Sequence, residues 1–440
     1  MSQSPVPESW NPGIVFAHLT DVGMRRANNQ DSLACLPAKS EERFWNRGHL
    51  FVVADGMGAH AAGELASQMA TERIAMQFFR SHASSTADAL RAAVSDANDE
   101  IHQRGQNNPE FHNMGTTASA LVLSPSGAFV GHVGDSRAYR LRAGKFEQLT
   151  FDHSLVWEME ATGQTGQGIP KNVITRSLGP HAVVDVDVEG PFPIEKDDQF
   201  LLCSDGLTGL VEDDEIGALL DCLPEEKAVR VLVDLANLRG GPDNTSVIIV
   251  RVVDPIVGKQ PGVPQKRNRS EPAVSRAILA TVAICLTGAL LLGILSVVDP
   301  YDPDQLGDQN WVGPMVVALL LGMITSAIAI YEWLQVRKRK RPSSSHSGNQ
   351  GPYREYDATP TKALYERLGE TVQALRDAAN QNNWMMDWQK VDAFQDEGRV
   401  AIETKNVKDA IRAQSEAVIE TMNQLREQNN RAANETAIDH

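Results

Sequence analysis

The chain has 440 residues, more than one domain usually holds, and a formal charge of −16 from 41 Lys and Arg against 57 Asp and Glu. That balance argues against a general nucleic-acid binder. The four cysteines, Cys35, Cys203, Cys222 and Cys285, show no paired spacing, so neither a disulfide framework nor a zinc site is indicated. Reduced, buried thiols in a cytosolic compartment are expected, and Met1-Ser2-Gln3-Ser4-Pro5 does not read as a signal peptide.

Residues 14–253 alternate short β-rich runs with helix-like stretches. Strands are predicted at Ile14–Leu19, Leu50–Ala54, Ala118–Leu123, Ala128–Val133, Ala138–Arg142, Val183–Val188, Gln199–Cys203 and Ser246–Val253, each bounded by Gly, Pro or Asp. Apolar residues recurring at three and four predict helices at Gly63–Ser81, Thr86–Gln106, Leu155–Ala161 and Glu226–Asn237. Strands grouped with a few long helices indicate the α+β class. The first domain is taken as residues 1–255.

A Pro-rich linker, 256–272, follows, with Pro261, Pro264 and Pro272 among Lys266, Arg267 and Arg269. Two uncharged runs come next, Ala277–Val298 and Val312–Tyr331, each long enough to cross a hydrocarbon layer about 30 Å thick. Transmembrane helices are therefore predicted within 273–298 and 311–334, separated by an acidic extracytoplasmic loop, 299–310. Basic residues precede the first run and Arg337-Lys338-Arg339-Lys340-Arg341 follow the second, whereas the loop holds four Asp and no Lys or Arg. Positive charge stays inside, so a two-pass protein of the cytoplasmic membrane with both termini cytoplasmic is expected. Gly313 and Gly322 leave room for self-association through the spans.

Residues 335–360 are basic and then rich in Ser, Pro and Gly, and predict a second flexible linker. Leu364, Leu368, Val372 and Leu375 form one helical stripe, and Val407, Ile411, Val418, Met422 and Leu425 a second. The tail, 361–430, is accordingly predicted as a helical hairpin or short coiled coil, a second place for self-association. Trp384, Met385, Met386 and Trp388 are expected to pack between its two helices.

Four aspartates carry the chemistry. Asp55 and Asp205 each end an apolar run and precede glycine, in Ala54-Asp55-Gly56-Met57-Gly58 and Ser204-Asp205-Gly206. Asp31 closes Arg26-Ala27-Asn28-Asn29-Gln30-Asp31, and Asp243 lies in Gly241-Pro242-Asp243-Asn244. Taken singly, each Asp-Gly reads as a turn. Together they suit a hard divalent cation, magnesium or manganese rather than zinc. Two such ions about 3.5–4 Å apart would serve phosphate-ester hydrolysis.

These segments, with Met114-Gly115-Thr116-Thr117, Val133-Gly134-Asp135-Ser136-Arg137, Leu149-Thr150-Phe151-Asp152-His153-Ser154 and Asn172 to Gly179, resemble in order the PP2C (PPM) metal-dependent protein serine/threonine phosphatases of bacterial type. The resemblance covers about residues 14–253. It implies a two-sheet antiparallel β-sandwich flanked by helices, with Mn²⁺ or Mg²⁺ in a cleft at one edge. It also implies roles. Asp55 would bridge two ions with the Gly56 carbonyl completing the second, Asp205 and Asp243 would hold the first, and Asp31 would act through bound water. Asp152 would hold a third, weaker ion with Asp205. Arg26 would bind the phosphoryl group and His60 would be the general acid. One departure is Gln30, where the family usually has Glu.

The reading is a membrane-tethered phosphatase that hydrolyses phosphoserine and phosphothreonine in proteins by direct attack of a hydroxide bridging the two ions. Its expected partners are phosphoproteins and a cognate serine/threonine kinase. The alternatives are a non-catalytic membrane adaptor that only binds phosphoproteins, and a metal-dependent phosphatase of small molecules.

Overall fold

Two antiparallel sheets face one another across an apolar layer. The computed structural model describes residues 10–58, 61–163, 173–254 and 351–438. One sheet contains β1 (Ile14–Asp21), β7 (Arg137–Arg142), β8 (Lys145–Gln148), β10 (Gln199–Cys203), β11 (Thr245–Val252) and β12 (Arg354–Asp357), in the order β1-β11-β10-β7-β8-β12. The other runs β2-β3-β5-β6-β9, from β2 (Asp31–Leu36), β3 (His49–Met57), β5 (Ala118–Ser124), β6 (Gly127–Val133) and β9 (Asp187–Phe192), with the short β4 (Gly115–Thr116) paired to β3.

Alternate residues of each strand serve different layers, as a period of two requires. Phe51, Val53, Leu121, Leu123, Phe200, Leu202, Ile248 and Val250 fill the space between the sheets. Leu50, Val52, Ala120 and Val122 point the other way, onto α2 (Ala62–Arg80) and α3 (Thr86–Asn107). Tyr139, Leu201, Val247 and Ile249 meet α6 (Asp213–Cys222) and α7 (Glu225–Leu238). Covering both faces explains why Val247-Ile248-Ile249-Val250 is apolar without a break.

Several elements depart from the sequence reading. The strand expected at Val183–Val188 is instead Asp187–Phe192, and Val183 is 86% exposed. Pairing with β6, which sets Asp187 opposite His132 and Phe192 opposite Ala128, selects these residues over the apolar run before them. β2, β4, β8, α6 and the short helix α1 (Glu41–Arg47) were not anticipated. β2 is half-buried along its whole length, so its sequence carries no alternation to read.

The largest difference is in the tail. Arg354–Asp357, expected within a linker, is a strand that covers the edge of β8, with Tyr356 opposite Phe146 and Asp357 opposite Lys145. Three helices follow rather than two: Lys362–Gln381, Gln389–Glu403 and Val407–Ile438. Their apolar stripes do not close on each other alone. Leu364, Leu368, Val372, Val391, Ile411 and Val418 join one core with α6 and α7. The described residues before Pro255 and after Gln350 belong to one compact unit. Trp388 packs beneath the Arg376 guanidinium, 4.7 Å from its ring centre, but Met385 is 78% exposed.

The two predicted spans lie outside the described residues. Among the described residues no helix is long and apolar enough to cross a membrane.

Candidate active site

The acidic residues come from four separate segments that the sandwich brings to one edge. Asp31 opens β2 directly opposite Asp55 of β3. Asp205 follows β10 as the first residue of the short helix α5 (Asp205–Thr208), and Asp243 lies in the loop that leads into β11. Backbone contacts fix these loops. Asn244 accepts from the Gln30 amide at 2.8 Å and donates to the carbonyls of Val22 at 2.8 Å and Asn28 at 3.0 Å, stapling the β1–β2 loop to the Asp243 loop. At Gly23, with φ +80°, a Cβ would lie 2.2 Å from the Asp243 carbonyl oxygen, so only glycine admits this approach. At Gly56 a Cβ would lie 2.1 Å from the Gly63 carbonyl oxygen.

Asp55 is held from both sides of its peptide. Its amide donates to the Thr117 hydroxyl at 2.9 Å, and its carbonyl accepts from the Thr116 hydroxyl at 2.8 Å and the Thr117 amide at 2.9 Å. Asp31 accepts from the Ser204 hydroxyl at 2.8 Å.

The electrostatics of the group are unfavourable without a cation. Burial pushes the Asp31 carboxyl up to about 7, and the nearby Asp205 and Asp243 add to it. Burial, then Asp31, Asp205 and Asp135, hold Asp55 well above the usual carboxylate range. Asp205 is raised by burial and by Asp243. Oδ1 of Asp31, of Asp135 and of Asp205 is each buried without a hydrogen-bond partner. Such oxygens are costly unless something positive meets them. Among the described residues no three His, Cys, Asp or Glu side chains are placed so as to hold a metal ion together. Buried, unpartnered, oxygen-only donors are nonetheless what a hard divalent cation requires.

Arg26 reaches into the same acidic group. Its guanidinium pairs with Asp243 at 2.7 Å while its side chain remains 46% exposed. Gln30 places its amide nitrogen 3.4 Å from the Gly58 carbonyl oxygen. His60 lies outside the described residues.

Asp152 sits differently from the others. Arg137 grips both its oxygens, with Nε at 3.0 and 2.8 Å and a terminal nitrogen at 2.7 Å, and Gln148 donates to it at 2.8 Å. It is 3% exposed. Asp135, to which the sequence reading gave no role, instead has its free oxygen among the acidic residues. Burial, with Asp205 and Asp152 nearby, pushes it up to about 7. A signal was present: Val133-Gly134-Asp135 sets an aspartate beside a glycine at the end of an apolar strand, though with the glycine first rather than second. Its neighbour Arg137 binds Asp152 and, through Tyr139 and Asp213, ties β7 to α6.

A family profile described as Protein phosphatase 2C matches residues 24–236. The chain is 35% identical over 242 residues to a serine/threonine phosphatase, stp, of Listeria monocytogenes, covering 52% of this chain and 93% of the relative. It is also 35% identical over 244 residues to the protein phosphatase PhpP of Streptococcus pneumoniae, covering 53% and 95%. Among solved structures, the serine/threonine phosphatase PstP/Ppp of Mycobacterium tuberculosis is similar at 32% identity with a TM-score of 0.47, covering 55% of this chain and 99% of that one.

Proposed function

The chain belongs to the protein phosphatase 2C family and is a metal-dependent serine/threonine phosphatase, and we propose that it is a membrane-tethered one using two divalent ions. The observation that carries the reading is the meeting of Asp31, Asp55 and Asp205 at the ends of strands from both sheets, with Oδ1 of Asp31 and of Asp205 buried and without a partner. Asp55, the Gly56 carbonyl, Asp205 and Asp243 would hold manganese or magnesium, with Asp31 beside them. Ions bound there would supply an activated water and neutralise phosphoryl charge.

The chain's own residues do the rest. Arg26 neutralises Asp243 in this structure; with that carboxylate engaged by a cation, its planar fork is released to bind two phosphoryl oxygens. Water is proposed to attack phosphorus directly, without a phospho-enzyme, while His60 protonates the seryl or threonyl oxygen as its bond to phosphorus breaks. A third ion held by Asp152 would require that residue to leave Arg137. Asp135 needs no such exchange, since its inward oxygen has no partner. Substrates are proposed to be phosphoproteins, phosphorylated by a cognate kinase.

Membrane tethering rests on the uncharged runs at 277–298 and 312–331 and on their basic flanks. The docked tail supports the topology. A chain that leaves one compact unit at Asp254 and re-enters it at Gly351 must cross any bilayer an even number of times. The test is labelling of intact cells with an impermeant thiol reagent, in variants lacking the native cysteines. Gln305→Cys, in the acidic loop, should label and Ser345→Cys should not. Labelling at Ser345 would overturn the topology.

A further inference from the structure

We propose that the strand returning at residue 351 is a working part of the phosphatase domain, in which Arg354 is a positioning residue that holds the helix α4 (Leu155–Ala161) beside the acidic site. The inference rests on the phosphatase reading. It concerns a part of the chain that lies outside residues 24–236, the stretch the family profile matches.

The helix α4 starts three residues after Asp152, and its N-cap is Ser154. A seven-residue helix is too short to hold itself together and depends on what packs against it. Its single buried side chain is Trp157. The Arg354 guanidinium stacks on that ring at 3.8 Å from the ring centre and pairs with Glu160, one turn further along, at 2.6 Å. Arg137, which grips Asp152, lies 5.9 Å from the centre of the same ring. Phe151 connects the two chain segments, edge-on to Trp157 at 5.1 Å and to Tyr353 at 5.6 Å. Tyr353 is anchored in turn by donating to Glu189 at 2.6 Å.

A continuous physical line therefore runs from the tail strand through Arg354 and Trp157 to Arg137 and Asp152. Arg354 is itself held in register by β12, where it lies opposite Gln148, the other donor to Asp152. Addition of a strand to an exposed sheet edge is a common mode of peptide docking. Here the added strand belongs to the same chain. An extended peptide reaches beyond the phosphate site to the elements beside it, whereas a small ester meets the phosphate site alone, so loosening α4 should affect the two unequally.

The experiment compares the full-length chain with Arg354→Ala, Arg354→Lys and Glu160→Gln. Steady-state kinetics are measured on a phosphothreonine peptide and on p-nitrophenyl phosphate, with hydrogen exchange followed at residues 154–162. Arg354→Ala should raise KM for the peptide roughly three- to thirtyfold, the fold-change that loss of a cation–π contact produces, with kcat and the small-ester kinetics within about twofold. Exchange in α4 should accelerate. Arg354→Lys should restore most of the peptide KM, and Glu160→Gln, which leaves β12 untouched, should move KM in the same direction by less. The proposal is overturned by unchanged peptide KM with unchanged exchange, by a lysine variant as defective as the alanine one, or by equal losses on both substrates with a lowered Tm. A wild-type chain that hydrolyses neither substrate would count against the phosphatase reading instead, and exchange at α4 would still decide for or against Arg354.

Discussion

Asp205 illustrates what each acidic residue contributes. Its carboxylate is buried beside Asp55 and Asp243, and without a cation that proximity costs stability while serving no structural contact for Oδ1. Replacing Asp205 with Asn should lower the hydrolysis rate by about three orders of magnitude or more, because a charged donor to the proposed ions is lost. The same change should leave the metal-free protein as stable as before or raise its Tm by about 2–4 °C, since one like charge is removed. Turnover in the hydrolysis assay and a metal-free thermal melt check both halves. Wild-type turnover, or a fall in Tm, would contradict this assignment. At this scale the sequence was informative where an aspartate ends an apolar run, as at Asp55 and Asp205. It was silent on which carboxylates are already satisfied. The sequence reading gave Asp152 a role and Asp135 none, and the placement of Arg137 and Gln148 on Asp152 is what separates them in the structure.

Among the elements, those with strong periodicity were readable. Gln199–Cys203 and Leu155–Ala161 fall where apolar spacing put them, and the long helices differ by a residue or two at their ends. Elements that depend on a partner were not. β12 is Arg354-Glu355-Tyr356-Asp357, a polar segment with no intrinsic strand signal, ordered by the exposed edge of β8 and by the Lys145–Glu355 pair at 2.9 Å. The tail helices were visible as stripes, but the face they cover was not. That face is charged at its margins: Lys408 pairs with Asp221 at 2.7 Å and Arg367 with Asp214 at 2.9 Å. Exposed pairs of this kind add little individually, so the apolar centre should dominate. Leu368 is fully buried in the core shared with α6 and α7. Leu368→Ala should therefore cost about 2–5 kcal/mol and shift a single denaturant transition of the described unit rather than split off the tail. Two separated transitions, followed by near-ultraviolet circular dichroism and by tail proteolysis, would show that the tail folds independently.

For the whole molecule, the docked tail changes what the domain boundaries mean. The sequence divides naturally at its linkers and uncharged runs, and that reading made residues 361–430 a separate appendage. In the structure the chain departs after β11 and returns to complete the sheet that β11 helps to form, with β12 at its far edge. Such a return is invisible to local pattern because it depends on contacts between residues about two hundred positions apart, as in the pairing of Lys227 with Glu416. It also means that the full-length chain, rather than residues 1–255, is the proper object for assay. The central claim, a metal-dependent phosphatase of phosphoserine and phosphothreonine in proteins, is tested most directly by phosphate release from a phosphothreonine peptide by that full-length chain as manganese is titrated in from excess chelator. The account predicts no release in chelator and a saturable rise in rate with manganese. Release that is indifferent to chelator, or tight binding of the peptide with no release at any manganese concentration, would contradict it.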